Sequence, residues 1–217
     1  MDFDEFLLAQ HAGIPSQIDS YRQTGTLFEG GRMVDFILCY SKSGKFRADV
    51  KIDNEIIYSE GFDGEYAWDS DQALLGDPAL SLENSVRWPN PIRSLQVVRD
   101  EGHKLTWHGL KELHQQDLVH LTITLNSGSS REYYYDPETC LLQYTLEQRK
   151  LEATAKPKIV ETAYTDYRDH EGASFAYHLL DQVEDDEKAI VDIQWNYTTI
   201  NPVLDSNHFT REYLPGY

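Results

Sequence analysis

The residues most able to do chemistry here are histidines, carboxylates, two cysteines and a run of tyrosines. Of the eight histidines, His103, His108, His114 and His120 are close enough in sequence to suggest a metal centre. They form no H-x-x-x-H or H-x-H pair, the spacings that put two imidazoles on one side of a helix or strand, and so read as surface and edge histidines. Asp69-Ser70-Asp71 begins like a calcium loop, but the glycine and closing glutamate are out of place, and it reads as a helix-start cluster. Glu184-Asp185-Asp186-Glu187 is a charge run in a predicted turn, whereas a glycosidase pair would sit on facing strands. There is no G-x-S-x-G and no glycine-rich phosphate loop before a helix. Asn196-Tyr197-Thr198 matches a glycosylation acceptor but falls mid-strand. Tyr133-Tyr134-Tyr135 could stack a sugar or a base. In a strand, however, Tyr133 and Tyr135 share one face and Tyr134 takes the other, which is ordinary strand packing with hydroxyls at the rim. With no acid–base pair, nucleophile or metal set, neither an enzyme nor a cofactor is expected.

Cys39 and Cys140 each fall inside a predicted strand, too few and too far apart for a zinc site or redox motif, and read as buried free thiols. The chain of 217 residues carries 19 Lys plus Arg against 37 Asp plus Glu, a net of −18, which repels phosphate backbones and anionic bilayers; nucleic acid is not an expected partner. No run of about twenty apolar residues occurs, so no membrane-spanning helix is expected. The N-terminal MDFDEFLLAQHAGIPS is acidic and lacks the basic and apolar regions of a secretory signal.

These residues are positioned by what reads as one continuous antiparallel meander. Fourteen tyrosines and four tryptophans favour a pleated, half-buried surface. A short helix is expected over 2–12, with Phe3, Phe6 and Leu7 at helical spacing and Gly13 as its stop. Period-two alternation starts near Asp19. Gly30–Gly31 turns the first strand into RMVDFILCYSK, apolar nearly all round and so expected to be covered on both faces. In KFRADVKI, Phe46, Ala48, Val50 and Ile52 face in while Arg47, Asp49 and Lys51 face out. A helical insert at about 72–101 interrupts the strands. Asp77-Pro78 and Asn90-Pro91 are helix starts there, and Ile92, Leu95 and Val98 form one face of a second helix closed by Gly102. Strands then resume; in the last, Ala189, Val191, Ile193, Trp195 and Tyr197 share a face. Eleven or twelve strands with short turns make a mainly β chain, and so many strands must curl, close or split. With no repeat and no linker, residues 1–217 read as a single domain.

The order of these pieces resembles the LolA/LolB-like family, the periplasmic carriers of outer-membrane lipoproteins and their relatives. The resemblance runs from about Asp19 to Phe209, through YRQTGTL, the GGR turn, SGKFRADVKI, FDGEYAW, the insert, REYYYD-PET-CLLQY and NPVLDSNHF; SGKFR, DGEYAW and YYYDPETCLL are its most specific parts. It implies a strongly curved, incompletely closed antiparallel barrel whose helices, including the insert, plug or lid an apolar concave face. It also implies a periplasmic location. Carriers have an Arg-Pro pair just ahead of the position of Phe46, the arginine tying strand to lid; here Lys42 and Ser43 stand there, and lysine lacks the planar fork.

On this reading the protein binds or transports a lipid or an acylated lipoprotein without catalysis, with an envelope protein as a second candidate partner. The expected lipid-binding residues are Phe36, Leu38, Phe46, Ala48, Val50 and Trp68 on the sheet, with Leu80, Leu82, Ile92 and Leu95 as cover. Burying one acyl chain of about fourteen methylenes releases on the order of 10 kcal/mol before ordering costs. The competing expectation is a protein-interaction or scaffolding module that uses the curved sheet and holds no lipid.

Overall fold

The computed structural model describes residues 1–70, 90–125, 128–149, 156–183 and 186–211. Helix α1 (Phe3–Ala12) opens with a capping box in which Asp2 and Glu5 satisfy each other's backbone amides, and it buries Phe6 and Leu7. Five strands follow: β1 (Ser20–Glu29), β2 (Arg32–Ser41), β3 (Phe46–Ile52), β4 (Glu55–Phe62) and β5 (Ala67–Asp69). Helix α2 (Leu95–Asp100) precedes β6 (Lys104–Leu113), β7 (Gln116–Thr124), β8 (Ser130–Tyr135), β9 (Leu142–Arg149), β10 (Lys158–His170), β11 (Ala173–Val183) and β12 (Asp186–Ile200). Two-residue turns with both central φ angles positive join several of these pairs, at Gly30–Gly31, Asp53–Asn54, His114–Gln115 and Glu171–Gly172. That geometry matches the right-handed twist of the flanking strands.

All twelve strands form one antiparallel sheet, ordered β5-β4-β3-β2-β1-β12-β11-β10-β9-β8-β7-β6. Two meanders are joined where β1 pairs with β12, and the sheet is not closed. Its edges, β5 and β6, are consecutive strands in the chain. A flat sheet of this many strands, spaced about 4.8 Å apart, would be on the order of 50 Å wide. Instead Leu38 on β2 and Ile123 on β7, seven places apart in the strand order, border one cavity, so the sheet wraps around its apolar face. β11 shows the resulting pattern plainly: Ala173, Phe175, Tyr177, Leu179, Asp181 and Val183 are buried and the residues between them are not.

The joint at β1–β12 carries an irregularity. Thr24 pairs with Tyr197 and Gly25 with Trp195, leaving Asn196 as an extra residue. The bulge reverses the alternation, so Trp195 is buried while Tyr197 is 73% exposed and Thr198 turns inward to Gln23. This corrects the single face expected for Val191 through Tyr197. Gly25 is required here because a Cβ would lie 2.1 Å from the Gln194 carbonyl oxygen.

Three further expectations change. Arg47 and Asp49 face away from the core but are buried, because residues 205–210 run back over them. Trp68 Nε1 donates to the Phe209 carbonyl at 2.8 Å, Arg47 Nη1 reaches the Thr210 carbonyl at 3.4 Å, and Arg47 pairs with Asp49 at 2.8 Å. The second face of β2 is covered only near Cys39, while Met33 remains exposed. The second helix starts later than expected: Asn90 accepts from the Ile92 amide in a turn, and the N-cap is Ser94. The Asp77-Pro78 helix start lies outside the described residues.

Gly25→Ala is expected to destabilise the protein by about 1–3 kcal/mol, the usual cost of overpacking, with the unfolding midpoint in urea as the readout. Asp49→Ala, which leaves Arg47 buried without its carboxylate, is expected to cost about 3–5 kcal/mol in the same assay.

Candidate functional site: a concave cavity

The two helices lie on the concave face. Phe6 of α1 packs edge-on against Tyr135 at 5.3 Å and tilted against Trp107 at 5.6 Å, fixing α1 over β6 and β8. Helix α2 packs on α1, with the Leu95 amide donating to Gln10 Oε1 at 3.0 Å. The segment leading into α2 is held at the β2–β3 turn. Asn90 Nδ2 donates to the Ser41 carbonyl at 3.2 Å, and the Arg93 guanidinium lies where a side chain at Gly44 would project. Arg93 is buried and ion-paired with Glu101. Residues 90–103 therefore run from the β2–β3 turn to the start of β6. Lys42, at the position where the resembled carriers have arginine, donates instead to the Ser16 carbonyl at 3.3 Å.

Between these helices and the sheet is a cavity of about 310 Å³. Leu38, Ile123, Leu142, Leu179 and Trp195 line it from the sheet, and Leu95 and Val98 from α2. Five tyrosines also reach it: Tyr21, Tyr133, Tyr135, Tyr164 and Tyr167. Burial raises the pKa of each, so all five are neutral hydroxyls at physiological pH. Further along the same face, beyond the cavity, the side chains become ionic. Arg131 pairs with Glu147, Glu147 with Arg149, and Arg149 Nη1 with Asp181 at 2.6 Å; Asp181 also accepts from Thr162 at 2.7 Å. Burial disfavours the Glu147 carboxylate, but Arg131 and Arg149 outweigh it and hold its pKa below the ordinary value.

The residues expected to hold lipid are spread around this cavity. Leu38 and Leu95 line it. Phe36, Phe46, Ala48 and Ile92 belong to the same buried cluster behind it, with Val50 packed at the margin and Phe36 stacked on Trp195 at 5.3 Å. Trp68 lies on the opposite face, beneath Phe209 and with the Arg47 guanidinium 5.3 Å from its ring. Leu80 and Leu82 lie outside the described residues. The aromatic lining was missed in the sequence, apart from Trp195 and the shared face of Tyr133 and Tyr135. The tyrosine-rich strands were visible there; which of their residues meet across the sheet was not.

Other candidates resolve as follows. Among the described residues no group of three or more His, Cys, Asp or Glu side chains could hold a metal ion. His103 and His120 are buried rather than on the surface, and His120 is stacked between His108 at 4.3 Å and Tyr134 at 4.6 Å. Tyr133, Tyr134 and Tyr135 alternate as expected, but all three are buried. Cys39 and Cys140 are free thiols. Burial pushes the Cys39 thiol up to about 12, and Cys140 sits in the β8–β9 turn rather than in a strand.

No protein-family model and no curated protein matches this sequence. Solved structures do match its fold. An outer membrane lipoprotein-sorting protein domain from Vibrio parahaemolyticus superposes with a TM-score of 0.62 at 11% identity, covering 95% of both chains. A LolA superfamily protein from Nitrosomonas europaea gives 0.62 at 8% identity, covering 97% of this chain and 98% of its own. The fold is LolA-like. A DUF1329 family protein from Desulfovibrio piger shares it more distantly, with a TM-score of 0.53 at 10% identity. In this LolA-like chain no described helix is long and apolar enough to cross a membrane.

The buried imidazoles predict an acid-sensitive fold. Desolvation lowers the pKa of His103, His120 and His208 below the usual 6.5, and both ring nitrogens of His103 have no hydrogen-bond partner among the described residues. The unfolded chain then binds more protons than the folded one. Stability is full above the ordinary imidazole value and is lost as pH falls through and below it. Urea midpoints measured from about pH 8 to pH 5 should decline below about 6.5, with a shallower decline in His103→Asn.

Proposed function

We propose that this protein binds an apolar ligand, a lipid or the acyl chains of a lipidated protein, in its concave cavity and acts as a periplasmic carrier rather than an enzyme. The carrying observation is the cavity itself, a space with predominantly aliphatic and aromatic walls between a wrapped sheet and two helices, at the lower end of the size range of ligand pockets. The fold likeness to a lipoprotein-sorting domain supports the same reading. Desolvation of apolar ligand surface is sufficient to drive such binding, and no bond needs to be made or broken. The stretch through Asn90, Arg93 and α2 acts as the cover, tied at Ser41 and Gly44 and leaning on α1 through Leu95 and Gln10. Phe36, Phe46, Ala48 and Ile92 shape the wall behind Leu38 and Leu95.

The test is titration with a fluorescent acyl-chain probe, followed by displacement with lipid extract. Saturable, displaceable binding at micromolar level is expected, weakened at least about tenfold by Leu38→Trp or Leu95→Trp, which fill the cavity, where tenfold corresponds to about 1.4 kcal/mol. Probe binding that ignores both substitutions would place the ligand elsewhere. A folded protein that binds no probe would leave the scaffolding reading in its place.

A further inference from the structure

The five tyrosines of the cavity are not equivalent. Tyr133 hydrogen-bonds with Arg131, Tyr164 lies 3.3 Å from Thr145 Oγ1, and Tyr167 donates to the Leu142 carbonyl. Those three hydroxyls are used within the protein. Tyr21 and Tyr135 differ. They are 1% and 7% exposed, both line the cavity, and neither hydroxyl has a hydrogen-bond partner among the described residues. Tyr21 is held by its ring alone, stacked on Tyr40 at 5.8 Å and edge-on to Phe175 at 4.9 Å. Tyr135 is likewise fixed between Phe6 at 5.3 Å and Tyr133 at 6.4 Å.

A tyrosine whose ring is buried ordinarily finds a partner for its hydroxyl, and here, where both hydroxyls open onto the cavity, that partner must come from what occupies it. Phenylalanine would fill the same space without presenting a donor to it. Two such donors beside one apolar cavity, with their rings locked by neighbours, are preorganised for an acceptor brought in by the ligand. The acceptor must be neutral. All five tyrosines are neutral hydroxyls, the lining cation Arg93 is already ion-paired with Glu101, and the Arg131–Glu147–Arg149–Asp181 ladder is internally balanced, leaving no free cation in this set to receive an anion. Resting on the reading of the cavity as an apolar-ligand site, we infer that its ligand carries a neutral carbonyl oxygen on an apolar chain or ring, received by Tyr21 and Tyr135. An ester-linked acyl chain and an alkylated quinone both present that chemistry. A bare hydrocarbon does not.

The experiment measures displacement of a bound fluorescent acyl probe by three competitors: tetradecane, methyl tetradecanoate and decylubiquinone. It uses the wild-type protein, Tyr21→Phe and Tyr135→Phe, with the urea midpoint of each variant confirming its fold. A carbonyl competitor is expected to outcompete tetradecane about tenfold or more. Each phenylalanine variant should reduce that advantage about 5- to 10-fold, the effect of one hydrogen bond, and leave tetradecane unchanged. Whichever of the ester and the quinone shows the hydroxyl-dependent gain identifies the source of the carbonyl. Equal displacement by all three competitors, or phenylalanine variants indistinguishable from wild type, overturns the carbonyl inference and leaves an apolar site standing. Failure of the probe to bind at all overturns the cavity reading and this inference with it.

Discussion

The structure depends on one topological constraint: the two edge strands of an unclosed sheet, β5 and β6, are neighbours in the chain. After β5 the backbone must travel to the far edge before it can pair again. Residues 90–103, the described part of that passage, lie over the apolar face, fastened at the β2–β3 turn and leading through α2 to β6. An excursion at this point in the sequence is therefore a consequence of the strand order. The twist and curl of a long antiparallel sheet supply the other half of the arrangement, because wrapping brings β2 opposite β7 and leaves a volume between them.

What fills that volume separates a core from a site. Much of the concave face is closed by the protein's own aromatic rings: Phe36 on Trp195, Tyr21 against Phe175, and Phe6 against Tyr135. Where the rings and α2 do not meet, a cavity remains. Its walls are stiff, since ring stacking fixes the side chains on several strands at once, and a stiff apolar cavity loses little entropy when it takes a ligand. The ionic ladder beyond it, through Arg131, Glu147, Arg149 and Asp181, satisfies its own charges and marks a polar stretch of the same face.

The opposite face shows why facing outward and being exposed are different properties. Arg47, Asp49, Ser59 and Trp68 point away from the cavity, yet residues 205–210 cover them, and they answer with a closed set of bonds. Ser59 donates to Asp49 at 2.6 Å, Arg47 pairs with Asp49, and Trp68 donates to Phe209. A buried ion pair with its hydrogen bonds complete is tolerated where a single buried charge is not. Cys39, paired with Arg47 in the β2–β3 register, is buried as well, and that burial accounts for its raised pKa.

The local grammar of the chain was sufficient for its mainly β class, for α1 with its acidic cap and for the hairpin at Gly30–Gly31. It was also sufficient for the alternation that puts Phe36, Leu38, Phe46 and Ala48 on one face. These features depend on period, turn chemistry and capping, which act over a few residues. The resemblance in strand order and turn segments already pointed to the LolA-like fold. Tertiary structure decided the rest. Trp68 and Phe46 both obey the alternation of their strands, but the register through β4 aligns Trp68 with Gly61 and Arg47, and Phe46 with Phe62 and Ala67, so the two face opposite sides. The bulge opposite Gly25 sends Tyr197 outward, although Trp195, two residues earlier, points in. The tyrosine cavity assembles side chains from β1, β8 and β10, strands far apart in sequence that meet only because the sheet curls. Side-chain spacing is a local property of the backbone, whereas proximity across a curved sheet follows from the long-range pairing of strands.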